Sequence, residues 1–230
     1  PAAVEEYGKD FGRHPSGTGA FKFEEWEANA KVVVSRNEDY WDGAAPLEAI
    51  VYRPITDANT RIAEMLAGGL DIMVEVPPDS LQQFRDNADY KVLEQAGPHV
   101  WFLILNAKEG PFSDKKVRQA ANYAIDKKAL TENVLQGTAD IAAGPTPPAF
   151  AWAYDESLDP YPYDPEKAKA LLAEAGYGDG LTLTMATSAE GSSLSVSPIT
   201  QIMVAQLAEV GITFEVTLLP YSAYIALRTQ

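Results

Sequence analysis

Apolar and polar positions alternate over residues 20–24, where Phe21 and Phe23 bracket Lys22 and are followed by Glu24. A period of two is that of a half-buried strand. Residues 31–36 run Lys-Val-Val-Val-Ser-Arg, a β-branched segment, and Asn29-Ala30 before it marks a turn. The pattern predicts a hairpin with its loop around 26–30, and a further strand over 49–53. The spacing then becomes helical. Asp57 is placed to cap a helix carrying Ile62, Ala63, Leu66 and Ala67, which stops at Gly68-Gly69. Residues 70–74 and 90–94 have the composition of short strands. Between them Pro77-Pro78-Asp79 opens a helix through Leu81 and Phe84.

Past Gly97-Pro98, a breaker, residues 99–106 form a nearly continuous apolar run of strand length, which suits a strand buried on both faces. Ser113-Asp114 starts a helix with Val117, Ala120, Ala121 and Ala124 on one face; Asp126 starts another with Leu130, Val134 and Leu135, ending at Gly137. Residues 138–163 are rich in Pro, Tyr and Asp and predict no regular element; a stretch that long is usually functional or wrapped on a surface. Asp164-Pro165-Glu166 is a strong helix start, with Ala168, Leu171, Leu172 and Ala175 as the apolar face and Gly176 as the stop. A strand over 181–185, a Ser/Gly loop over 188–197, a helix faced by Ile199, Ile202, Met203, Leu207 and Val210, and a strand over 212–218 follow. Strand–helix–strand of this length is a right-handed crossover and requires parallel pairing. Tyr221 begins a last helix. The chain therefore reads as a β-rich first region and an α/β second region, divided near Gly97-Pro98.

Charge narrows the partners. The net charge is −15 on 230 residues, and the acid excess is spread over both regions. Such a surface repels phosphate backbones and anionic lipid, which argues against nucleic acid. Solubility is the simple account of it, and a high-salt habitat is the alternative. There is no cysteine, so no disulfide and no thiolate metal site. No apolar run reaches the roughly 18 residues that a membrane helix needs, so no direct membrane insertion is expected.

Catalytic and cofactor constellations are scarce. The two histidines, His14 and His99, fall in different regions, and no His-Glu-x-x-His or Gly-x-Ser-x-Gly pattern occurs. No metal site and no cofactor are expected. Gly17-Thr18-Gly19 lacks the Lys-Ser/Thr of a phosphate loop and precedes a strand, so it reads as a tight turn. Asp39, Asp42 and Gly43 lack the ligand ladder of a calcium loop. Paired catalytic carboxylates would be spatial neighbours, invisible to spacing. Arg228 is the only basic residue after Lys169, and it reads either as a surface residue or as a fork of donors for an anionic group. Trp101 and Phe102 default to core packing because they sit inside the apolar run. Tyr221 follows the strand ending at Leu219-Pro220, where ligands gather in α/β sheets.

The order of phrases then becomes informative. Gly17-Thr18-Gly19-Ala20-Phe21-Lys22-Phe23 followed by Ser35-Arg36-Asn37-Glu38-Asp39-Tyr40-Trp41 resembles a two-part phrase of the family 5 extracellular solute-binding proteins, the peptide-, oligopeptide- and nickel-binding receptors of ABC importers. Ala67-Gly68-Gly69-Leu70-Asp71-Ile72, Gly110-Pro111-Phe112-Ser113-Asp114, Val117-Arg118-Gln119-Ala120, Tyr123-Ala124-Ile125-Asp126 and Tyr163-Asp164-Pro165-Glu166-Lys167-Ala168 are similar to that family's later phrases, in the same order. Each is weak alone; their order over nearly the whole chain is specific.

The resemblance implies an α/β, type II periplasmic-binding-protein-like fold of two hinged lobes, present here in part. Residues 1–98 are expected to be the middle segment of lobe I, and 99–230 most of the second ligand-binding lobe, truncated at its C-terminal end. It implies a receptor rather than an enzyme: a peptide or related small solute held between lobes and handed to ABC permease subunits, in the periplasm or outside the cell, with lipid anchoring of the full-length protein left open. The candidate ligand-facing residues carried over are Trp101 and Phe102 from the apolar run, Ser188 from the loop after the strand, and Tyr221, Ile225 and Arg228 from the last helix. The alternative is a hydrolase acting on peptides or oligosaccharides through paired carboxylates, and a third reading is a sensory or chaperone-like module on the same fold.

Overall fold

In the computed structural model the predicted hairpin forms. It describes residues 2–95, 97–188 and 196–228, with the side chains of Val196, Ser197 and Arg228 outside that description. Strand β1 (Phe21–Glu27) pairs antiparallel with β2 (Lys31–Arg36), which pairs antiparallel with β3 (Ala49–Tyr52). β1 is longer than the alternation indicated: Trp26 and Glu27, expected in the loop, oppose Val32 and Lys31 across a bulge between Phe23 and Glu25. Asn29 takes the left-handed conformation of the tight turn (φ 62°), which Asn tolerates better than most residues. Asn37 is buried and ties the sheet to the preceding turn: its Nδ2 donates to the Gly19 carbonyl at 3.0 Å, and its Oδ1 accepts from the Asp39 N–H at 3.1 Å. Helix α1 (Ala2–Tyr7) and a 3₁₀ turn lead into the sheet, and α2 (Ala58–Leu66) follows it. Asp57 caps α2, accepting from the Thr60 N–H and hydroxyl at 2.7 Å each; those bonds hold its carboxyl below the usual carboxylate range. The chain divides into two compact units, Pro1–Val74 and Glu75–Gln230. In the first, Ile62 is the one buried hydrophobic side chain among the described residues.

The main core lies in the second unit. After α3 (Pro78–Arg85), helix α4 (Lys115–Ala124) begins at Asp114, whose side chain accepts from the Lys116 N–H. Val117, Ala120, Ala121 and Ala124 are all buried, as their spacing predicts. A three-residue helix, α5 (Lys127–Ala129), runs into a π-helical turn over Leu130–Val134, so the single helix predicted after Asp126 is split. Helix α6 (Pro165–Glu174) packs on α4, capped by Asp164. Strand β4 (Leu181–Ser188), helix α7 (Val196–Glu209) and strand β5 (Ile212–Leu219) form the expected parallel crossover, in register from Leu181 opposite Ile212 to Ser188 opposite Leu219. Beyond Ser188, the predicted Ser/Gly loop lies outside the described residues as far as 195. Helix α8 (Tyr221–Arg228) packs against β4. Leu172, Leu207 and Ile212 meet Phe112, Ile125 and Leu130 in one cluster joining α4, α6, α7 and β5.

Three predicted strands are absent: none of 70–74, 90–94 and 99–106 is in a sheet. A strand's backbone donors and acceptors need a partner strand, and among the described residues these segments have none. The run over 99–106 is not buried on both faces either. Leu103 and Leu105 pack on the core, while Trp101, Phe102 and Ile104 are exposed.

Candidate functional site

Parallel strands leave their carboxyl ends together, with the following segments free to build a crevice there. At that end of β4 sits Ser188, 6% exposed, and opposite it in register is Leu219. Pro220 breaks β5, and Tyr221 starts α8 at once, so Tyr221 and Ser188 are delivered to the same end of the sheet. The Tyr224 N–H bonds to the Pro220 carbonyl, closing the first turn of α8. Ile225 lies one turn past Tyr221 on the same helix face and is half-buried. Arg228 closes α8, and its side chain lies outside the described residues.

The structure therefore gathers Ser188 and the α8 residues, and treats the other two candidates differently. Trp101 and Phe102 are not in a buried strand; both are exposed side chains on an unpaired run. Phe102 lines a cleft with Pro147, Phe150 and Trp152, and that lining includes neither Ser188 nor Tyr221. Phe150 and Trp152 escaped sequence reasoning. Their one signal was the length of the irregular 138–163 segment, which has no period to show where its side chains go.

That segment is tied down at its far end. Lys127 Nζ donates to the Asn122 carbonyl at 3.0 Å and to the Tyr161 carbonyl at 3.2 Å. The Asp164 N–H donates to the Tyr123 carbonyl at 2.8 Å. Tyr161 meets the Tyr123 ring edge-on at 5.1 Å, and the Lys167 ammonium stands 4.3 Å from the centre of that ring. Partial burial pushes the Lys127 ammonium below the ordinary lysine value, opposed by the neighbouring Asp126 carboxylate, and the two carbonyls satisfy part of its donor capacity. Among the described residues no group of three or more His, Asp or Glu could hold a metal ion, and no helix is long and apolar enough to cross a membrane.

The model for the bacterial extracellular solute-binding proteins, family 5 (middle), matches residues 1–230. The chain belongs to that family. Among family 5 relatives, the glutathione-binding protein GsiB of Salmonella paratyphi A is 37% identical over 218 residues, covering 94% of this chain and 42% of GsiB. Heme-binding protein A of Haemophilus influenzae is 42% identical over 166 residues, 72% of this chain and 30% of that protein. The periplasmic binding protein DppA of Helicobacter pylori, solved with the peptide STSA, superposes with a TM-score of 0.82 at 30% identity, covering 97% of this chain and 43% of DppA. The chain thus spans less than half the length of these relatives. These proteins are described as binding glutathione, heme and the peptide STSA, so family 5 membership fixes the scaffold and leaves the solute open.

Proposed function

We propose that the full-length protein is the solute-binding component of a bacterial ABC importer, working in the periplasm or outside the cell. The match of the whole chain to the family 5 model carries this reading. In it, residues 1–98 are the middle segment of lobe I, and 99–230 are most of the second ligand-binding lobe. A peptide or related small solute binds between the lobes, and closure is favoured by the solute's higher affinity for the closed state. The closed form is then recognised by the permease. The protein performs no chemistry on its solute. The relatives named above are named for binding, and none of those names supports a hydrolase.

Purification of the full-length protein under gentle conditions, followed by native mass spectrometry, tests the reading. A small solute retained intact is the expected result. Turnover of a peptide pool by the purified protein would refute it.

Ser188, Tyr221 and Ile225 are proposed to face the solute at the carboxyl end of the sheet, with Arg228 at the far end of α8 and Trp101 and Phe102 contributing from the 99–106 run. Arg228 supplies a planar pair of donors for a carboxylate. Arg228→Ala is expected to weaken binding of a carboxylate-bearing solute by about 1–3 kcal/mol, the scale of a hydrogen bond to a charged group. Unchanged affinity by calorimetry would make Arg228 a surface residue.

A further inference from the structure

A cleft of about 350 Å³ opens in the Glu75–Gln230 unit. That is within the size range of small-molecule sites, which begin at roughly 300 Å³. One wall comes from Pro98, Val100 and Phe102, the other from Pro147, Phe150 and Trp152. Among the described residues that line it none is charged, although the chain carries 33 acids and 18 bases. Thr146 brings the only side-chain hydroxyl among the described lining residues. An ammonium or carboxylate entering here would lose water and find no counter-charge. A flat apolar group would lose little and gain contact with three rings.

The rings are not packed into the core of this unit. Trp152 is 88% exposed and Phe102 67% exposed, in a region where the neighbouring Leu103 and Leu105 are folded onto the core. Phe150 and Trp152 stand edge to face, 6.4 Å between centroids, which leaves a ring face for a third aromatic group. The wall carries local turns, with the Phe150 N–H bonded to the Pro147 carbonyl and the Ala153 and Tyr154 N–H groups to the Phe150 carbonyl. Further along the same segment Tyr161 is held to Lys127 and to Tyr123 of α4.

We propose that this cleft is a subsite that accepts a neutral aromatic group of the solute, such as an indole or phenyl ring. The proposal rests on the solute-receptor reading above and adds a substrate class to it.

The test uses solute-free, full-length protein and two neutral probes, N-acetyltryptophanamide and N-acetylalaninamide, followed by saturation-transfer NMR and calorimetry. The tryptophan amide is expected to bind and the alanine amide not. Phe150→Ala and Trp152→Ala are each expected to weaken the tryptophan amide roughly fivefold, the scale of one aromatic contact. Both side chains are exposed in this chain, so unfolding curves should be unchanged when the cleft is open in the full-length protein. Equal binding of the two probes, or unchanged affinity in both variants, would overturn the subsite. So would failure of acrylamide to quench the fluorescence difference between wild type and Trp152→Phe without probe, since another part of the protein would then cover the cleft. Protein that retains its own solute but shows no aromatic preference sinks the subsite alone. Protein that binds the tryptophan amide but never carries or delivers a solute sinks the receptor reading and leaves the cleft standing.

Discussion

Leu172→Ala is expected to destabilise the Glu75–Gln230 unit by about 2–5 kcal/mol, the range for removing a buried leucine and leaving a cavity. Leu172 is 1% exposed and belongs to the cluster joining α4, α6, α7 and β5. Its neighbours sit on rigid elements: α4 and α6 are each capped by an aspartate, and α6 is further joined to α4 by the Lys116–Glu174 ion pair at 3.0 Å. That ion pair is exposed and adds little by itself. The cap bonds hold the first turn of each helix, and close packing around Leu172 limits how far its neighbours can move into the space left by three missing carbons. Chemical denaturation of the full-length protein measures the cost. A loss below about 1 kcal/mol would mean that the site relaxes and that this cluster does not hold the unit together. The same cluster supports β5 through Ile212, so the loss should be accompanied by weaker solute binding at the far end of the sheet.

What the sequence made legible was local. Asp57, Asp114, Asp126 and Asp164 each caps a helix with its own side chain, because a cap involves residues two or three positions apart. The buried faces of α4 and α6 followed from helical spacing for the same reason. The phrases that carried the family resemblance have structural roles that explain why they recur together: Asn37 of the second phrase bonds to Gly19 of the first, and the Asp164 N–H bonds to the Tyr123 carbonyl. Arg118 likewise donates to the carbonyls of Phe112 and Ser113, two residues of the preceding phrase. Strands were harder. An alternating or apolar run states that a segment could pair and bury a face, but not that a partner is present, which is why 70–74, 90–94 and 99–106 were overread. The position of the candidate residues was legible only where topology does the placing. That Ser188 and Tyr221 lie at one end of the sheet follows from the parallel crossover. Phe150 and Trp152, which line the cleft with Phe102, instead sit on an irregular segment whose path is set by distant contacts such as that of Lys127 with Tyr161.

Gly180→Ala is expected to cost about 1–3 kcal/mol, and to do so at the end of the sheet opposite the candidate site. Gly180 and Gly211 precede β4 and β5 and both have left-handed backbones, with φ of +92° and +95°. A Cβ on Gly180 would stand 3.1 Å from the Gly211 carbonyl oxygen. That oxygen accepts the Leu181 N–H at 2.8 Å, the bond that starts the parallel pairing. The substitution therefore combines backbone strain with a push on the first rung of the ladder. Gly176 supplies the control: its φ is +87°, and a Cβ there meets nothing within 4 Å. Gly176→Ala carries the backbone strain alone, about 1–2 kcal/mol. Denaturation of both variants of the full-length protein separates the two contributions, and equal losses would show that the close approach of Gly180 to Gly211 is without consequence. Because strand register runs unbroken from Leu181 to Ser188, a displaced first rung shifts Ser188 relative to Leu219 and Tyr221. Solute affinity should therefore fall in Gly180→Ala and hold in Gly176→Ala.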